Sequence, residues 1–268
     1  MNYHKKLSKL SNFRSYKPDK VLSLYLHTDR SHPDQQRGEW KIALKNGFNK
    51  LEEYLNVSSH EELNRLRSIR SKLEKYMEGL ERNLPRGIVI FASIDSNLWE
   101  SFELQVPVQT NFYWEERPVL QELQSLYKKY PLTGLVLMQQ NQIKILSSVF
   151  TVLQDMETME FDLESEDWRK HEGPSHMNAS LGKGAVKSAA QVDHYQERVK
   201  MNQHRWLKSL GSILDKKAAD HKWDKIILVG DKEEAELLNS SMNKQVDKII
   251  QKNLLNEHEH AVIEKVLC

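Results

Sequence analysis

Histidines, carboxylates and cations are the side chains of this chain with chemistry to offer, and their spacing decides which chemistry. His27, Asp29, His32 and Asp34 lie close together, but the spacing matches no zinc pattern. The turn formers Asp29, Pro33 and Asp34 make a solvated loop the better reading. The acidic run Asp155, Glu157, Glu160, Asp162, Glu164, Glu166 and Asp167 could hold divalent ions only if carboxylates projected from central strands, as nuclease chemistry requires. The apolar strand Leu135-Val136-Leu137-Met138 carries none, and His258 and His260 read as solvated, so neither a metal site nor a cofactor is expected. Lys183, Lys187, Arg198, Lys200, Arg205 and Lys208 form a different kind of group: cations strung along a loop and a helix, suited to nucleic-acid phosphates and therefore to salt-sensitive binding. The same charges would serve equally as a solvated helix face, and both readings also apply to Arg65, Arg67, Arg70 and Lys72.

The later cations sit in and just beyond the stretch from Glu164 to Lys200, around which the chain is arranged. A strand-like segment, Met159 to Leu163, runs into polar sequence containing Gly173, Pro174, Gly182 and Gly184. Loops of this length without an apolar period are functional or disordered, so residues 164–190 are expected to form a long exposed loop. Behind it Val192, Tyr195, Val199, Trp206, Leu210 and Ile213 recur at helical spacing, interrupted by Asn202, and predict a helix to about Ala219.

The other elements build two domains, which 268 residues can support. Val21 to Leu26 reads as a buried strand. Trp40, Ala43, Leu44, Phe48, Leu51 and Leu55 mark a helix over 37–55, and Leu63, Leu66, Ile69, Leu73, Tyr76, Met77 and Leu80 mark a second, with Ser59 and Glu62 as its capping box. Strands at 88–92, 98–106 and 110–114 complete an α+β domain over residues 1–116. The domain over 117–268 opens with a helix that Pro131 stops, followed by a hairpin turning at Gln139-Gln140-Asn141 and further strands around Phe150 and Phe161. After the long helix come a strand over 223–230 and short helical pieces at 233–238 and 246–250, while Ala261-Val262-Ile263 fits helix or strand.

Composition limits the function classes. With 39 Lys and Arg against 38 Asp and Glu, any nucleic-acid contact must come from local clusters and not from the overall field. A single cysteine, Cys268, allows no internal disulfide and suits a reducing compartment. No segment approaches the roughly 18 apolar residues of a membrane span, so a soluble cytoplasmic protein with no membrane partner is expected.

Read in order, these segments resemble the N-terminal and middle domains of the archaeo-eukaryotic peptide-chain release factor family, which includes Pelota and a set of bacterial relatives. Val21 to Leu26 looks like its "SLYI" strand, and Leu84-Pro85-Arg86-Gly87-Ile88-Val89-Ile90-Phe91 looks like its "PPNGLVVF" strand. Pro118 to Leu146 is similar to the start of the middle domain. Tyr195 to Lys208, with His204 and Trp206, resembles the helix after the Gly-Gly-Gln loop, and Ile226 to Gly230 its "GLVLAG" strand. The resemblance implies an RNase H-like middle domain with a mixed sheet and a ligand of the ribosomal A site whose partners are ribosomal RNA and peptidyl-tRNA. It leaves no room for the third domain that recruits GTPases in the family, so whether a translational GTPase assists stays open.

Two departures bear on activity. Aligning the helix puts Ser188-Ala189-Ala190-Gln191 where Gly-Gly-Gln would stand, so Gln191 is the counterpart of the catalytic glutamine. The two alanines lack the freedom of glycine at positive φ, at a cost of about 1 kcal/mol or more per residue. The codon-reading "NIKS" motif is absent, replaced by Lys41-Ile42-Ala43-Leu44-Lys45-Asn46, which speaks against stop-codon decoding. Two functions follow: a factor that occupies the ribosome for rescue, quality control or dormancy, or a peptidyl-tRNA hydrolase in which Gln191 orients water.

Overall fold

The structure, a computed structural model, describes residues 3–35, 38–161, 168–171 and 189–268. It separates into two compact units, Met1–Lys129 with Phe150–Val152, and Tyr130–Val149 with Leu153–Cys268.

The first unit runs α1 (Tyr3–Ser11), β1 (Val21–His27), α2 (Glu39–Ser58), α3 (His60–Leu80), β2 (Gly87–Ser93), β3 (Leu98–Leu104), β4 (Asn111–Glu115) and α4 (Gln121–Lys129). Its strands pair antiparallel in the order β3-β2-β1-β4. Alternation along β1 and β2 sends Leu22, Leu24, Leu26, Ile88 and Ile90 into one core with the stripes of α2 and α3, among them Trp40, Phe48, Leu66 and Leu73. The two helices meet because α2 ends at Ser58 and Ser59 immediately caps α3, its side chain accepting from the Glu62 amide. The Glu62 carboxylate is then buried, and it accepts from the Trp114 indole at 2.8 Å and pairs with Lys20 at 3.1 Å. Gly47 sits in the middle of α2 because a Cβ there would lie 2.2 Å from the Phe112 ring.

The second unit holds β5 (Thr133–Gln139), β6 (Gln142–Val149), β7 (Val152–Phe161), β8 (Trp168–His171), α5 (Ala189–His221), β9 (Lys225–Val229), α6 (Lys232–Ser241), β10 (Lys248–Ile250) and α7 (Glu259–Leu267). Its mixed six-stranded sheet is ordered β10-β9-β5-β6-β7-β8, with β10, β9 and β5 parallel and β5 antiparallel to β6. Alternation gives the central strands two buried faces. Val136, Met138, Ile226 and Leu228 pack with Trp206, Leu210 and Leu214 of α5 and Leu238 of α6, while Leu135, Leu137, Ile227 and Val229 pack with Val262 and Ile263 of α7. The chain is thus an α/β protein of two units, the first an antiparallel α+β layer pair and the second a mixed sheet covered on both faces.

Several local expectations are corrected. Residues 248–250 are a parallel edge strand and not part of a helix, because Ile249 and Ile250 satisfy β9 through backbone pairing that three residues cannot announce as a period. Phe150 and Thr151 do not start a strand. Both take positive φ, 51° and 59°, in the tight turn between β6 and β7, a conformation usually signalled by Asn or Gly. The expected loop at 164–190 contains a strand, β8, paired antiparallel with β7. The polar N-terminus supplies α1, held through the buried Tyr3 and Leu10, with the Tyr3 ring 6.1 Å from Phe102. Ala261-Val262-Ile263, open between helix and strand, is helical in α7.

Candidate nucleic-acid interface

Helix α5 positions the exposed cations. Its 3.6-residue period places Trp206, Leu207, Leu210, Leu214 and Ala218 in the core. Lys200, His204, Arg205 and Lys208 are left on the outward side, all exposed. Lys200, His204 and Lys208 are four residues apart and therefore stack along one face, a row about 12 Å long at 1.5 Å rise per residue, with Arg205 beside it. Two interactions seat this part of the helix. The Trp206 indole stacks on the Phe161 ring at 5.3 Å and 11° between planes. Gln203 donates through Nε2 to the Gln140 carbonyl at 3.0 Å and to Glu234 Oε1 at 2.6 Å.

Among the described residues Lys200, Arg205 and Lys208 form no ion pair, unlike the arginines expected on α3. Arg65 bonds Asp95 at 2.8 Å, Arg67 bonds Glu52 at 3.2 Å, and Arg70 bonds both Glu52 (2.7 Å) and Glu74 (2.9 Å). Lys72 lies over the Trp99 ring, 4.4 Å from its centre. Lys41 is tied to Glu81. Arg70 and Glu52 shift each other. Burial alone would raise the Glu52 pKa, but hydrogen bonds from Arg70 and Arg67 outweigh it and hold the carboxyl below its ordinary range.

The other expected residues divide in two. Lys183 and Lys187, with most of the 164–190 loop, lie outside the described residues. Gln191 and Arg198 lie on α5, Gln191 in its first turn together with Ala189 and Ala190, and their side chains are also outside the described set. The structure therefore brings together Lys200, Arg205 and Lys208 from the expected group and adds His204, whose four-residue spacing from both lysines was visible in the sequence. His27 ends β1 and Thr28 is buried, so the expected solvated loop begins later; Asp29 accepts from the Ser31 amide at 2.9 Å and its hydroxyl at 2.7 Å, closing a turn. No cluster of three or more His, Cys, Asp or Glu able to hold a metal occurs among the described residues. Nor is any described helix long and apolar enough to cross a membrane.

Residues 131–268, just over half of the chain, match the sequence model of bacterial archaeo-eukaryotic release factor family 5. The chain belongs to this family. All of the second unit's described sheet and helix α5 with its cations lie in the matched segment. Family membership is accompanied by similarity to YocB, an uncharacterized protein of Bacillus subtilis (strain 168), with 44% identity over 263 residues that span 97% of this chain and 96% of that protein. Among solved structures, an archaeal protein aligns over 98% of this chain and 70% of its own at 12% identity and a TM-score of 0.34. The archaeal translation termination factor aRF1 aligns over the same shares at 14% identity and a TM-score of 0.29. The assignment rests on the sequence match.

Proposed function

We propose that this family member is a cytoplasmic, ribosome-associated translation factor that binds in the ribosomal A site for rescue, quality control or dormancy and does not decode stop codons. The observation that carries the reading is the outward row of Lys200, Arg205 and Lys208 on α5, without carboxylate partners among the described residues, in a chain of a release-factor family. Cations left unpaired along a helix are free to release counterions on meeting phosphates, and Lys183, Lys187 and Arg198 are further candidates for contact with ribosomal RNA and peptidyl-tRNA. Lys41 adds support on the decoding side: it is engaged with Glu81 where the family's codon-reading motif would stand.

Occupancy without chemistry is favoured over peptidyl-tRNA hydrolysis by the backbone at Ala189, Ala190 and Gln191. These residues are helical, a conformation alanine prefers, whereas the family's glycines serve positive φ and close approach. Sucrose-gradient sedimentation from growing and stressed cells tests the binding, and absence from ribosomal fractions in every condition would overturn it. Peptide release from stalled ribosomes tests the chemistry. Wild type is expected to release nothing above background, while Ala189→Gly with Ala190→Gly supplies the missing backbone freedom without changing charge. Release by wild type that disappears in Gln191→Ala, with binding intact, would make the protein a hydrolase, since the side chain would then act in the transition state.

A further inference from the structure

We propose that the cavity at the carboxyl ends of β5, β9 and β10 is a binding site for a small organic cation, a primary amine gripped by the Glu234 carboxylate. Such a site would operate whether or not the protein binds ribosomes. The cavity measures about 310 Å³, at the small end of the range for ligand pockets, about 300 to 1,000 Å³. It lies where three parallel strands end together, the place at which open α/β sheets hold their ligands. Gly230, which closes β9, lets the strand ends come this close, since a Cβ there would stand 2.7 Å from the Met138 carbonyl oxygen.

The sign of the ligand follows from what the protein has placed around the cavity. A strand, a glycine and a helix N-terminus in succession would ordinarily attract a phosphate. Here the Asp231 carboxylate already accepts from the Glu233 amide at 2.9 Å and the Glu234 amide at 3.4 Å, so two of the donors are taken and a negative charge stands in the anion's place. Glu234 adds a second carboxylate, half-buried, with Oε1 held by Gln203 at 2.6 Å and no hydrogen bond to Oε2 from the described residues. Burial first, and then Asp231, raise the Glu234 pKa against the opposing pull of Gln203. Such a carboxyl lacks a counter-charge. Among the described residues lining the cavity Lys252 is the only cation and is itself exposed, leaving two carboxylates against one lysine. A protonated amine supplies both the missing charge and the donors, and the cavity's size suits a diamine better than a nucleotide.

The test is an amide NMR titration of the full chain with putrescine at low ionic strength, with acetate as the anionic control. Saturable shifts confined to residues 138–140, 230–234 and 251–253 are expected, with none from acetate. Glu234→Gln keeps the shape of the side chain and should weaken binding at least ten-fold. Glu236→Gln, which alters an exposed carboxylate on the same helix, should leave it unchanged. Absence of saturable shifts in the wild type, shifts dispersed over the acidic surface, equal weakening by Glu236→Gln, or full binding by a folded Glu234→Gln would each overturn the site. If Glu234→Gln fails to fold, the wild-type titration decides alone.

Discussion

Helices α3 and α5 both bury an apolar stripe and both turn a row of cations outward, yet they dispose of the charge in opposite ways. On α3 every candidate cation has an internal partner: Arg65 takes Asp95, Arg67 and Arg70 share Glu52, and Lys72 lies over Trp99. On α5 the cations Lys200, Arg205 and Lys208 face outward without a carboxylate partner among the described residues. A count of Lys and Arg would rank the two faces together. The α2 neighbour, by bringing Glu52 across to α3, turns one face into a structural brace, whereas no described element brings a carboxylate across to the other face, which stays available to an external polyanion.

The largest effect expected from breaking this arrangement comes from its seat. Trp206 is 4% exposed and stacks on Phe161, so Trp206→Ala removes an indole from a closed core and should cost about 3–5 kcal/mol, read as a lowered urea midpoint. A loss under about 1 kcal/mol would mean that α5 is not held through this stacking. Ribosome association should fall with the fold, since the outward cations depend on the inward tryptophan for their position.

The charge comparison is sharpened by two multiple variants measured side by side. Replacing Lys200, Arg205 and Lys208 with Ala should lower the slope of log affinity for ribosomes against log salt by about 2–3, at roughly 0.7–0.9 for each phosphate no longer neutralised. Stability should stay within about 0.5 kcal/mol, as is usual for exposed sites. Replacing Arg65 and Arg67 with Ala should do the reverse, leaving the salt slope unchanged while removing ion pairs within the first unit. Equal slopes for the two variants would erase the distinction between the helices.

Legibility in the sequence followed the length and regularity of each element. The α2 and α3 stripes and the Ser59 cap were readable because they repeat over many turns or have a dedicated residue type. Strands β5 and β9 were readable as uninterrupted apolar runs, which is what burial on both faces demands. β10 was not, because three residues on a sheet edge draw their stability from β9 and leave no period of their own. The turn at Phe150 and Thr151 was hidden for the opposite reason: residue types that favour strands occupy left-handed positions there. For the candidate interface, the cations themselves were visible, but whether each had a partner was not. Glu52 is well separated in sequence from both Arg67 and Arg70, and only the packing of α2 on α3 joins them.

The smallest effect expected is also the most direct test of the α3 brace. The Arg70 side chain is 21% exposed and that of Glu52 18%, so this pair is better shielded than an ordinary surface bridge, and Arg70→Met should cost about 1 kcal/mol at neutral pH. The sign of its pH dependence follows from Glu52. Its folded pKa is lowered, with hydrogen bonds from Arg70 and Arg67 overcoming the rise that burial would cause. A carboxyl of this kind contributes stability that is fully present above its unfolded pKa, about 4.3, and is lost as the pH falls through the lower folded value. The gap in melting temperature between wild type and Arg70→Met should therefore be constant from pH 7 down to about 5 and narrow below about 4, where Glu52 takes up a proton and the wild type loses the same interaction that the variant lacks. A gap that stays constant on acidification would show that Arg70 acts there mainly through its position over the Phe48 ring, 5.5 Å from its centre, and not through the Glu52 carboxylate.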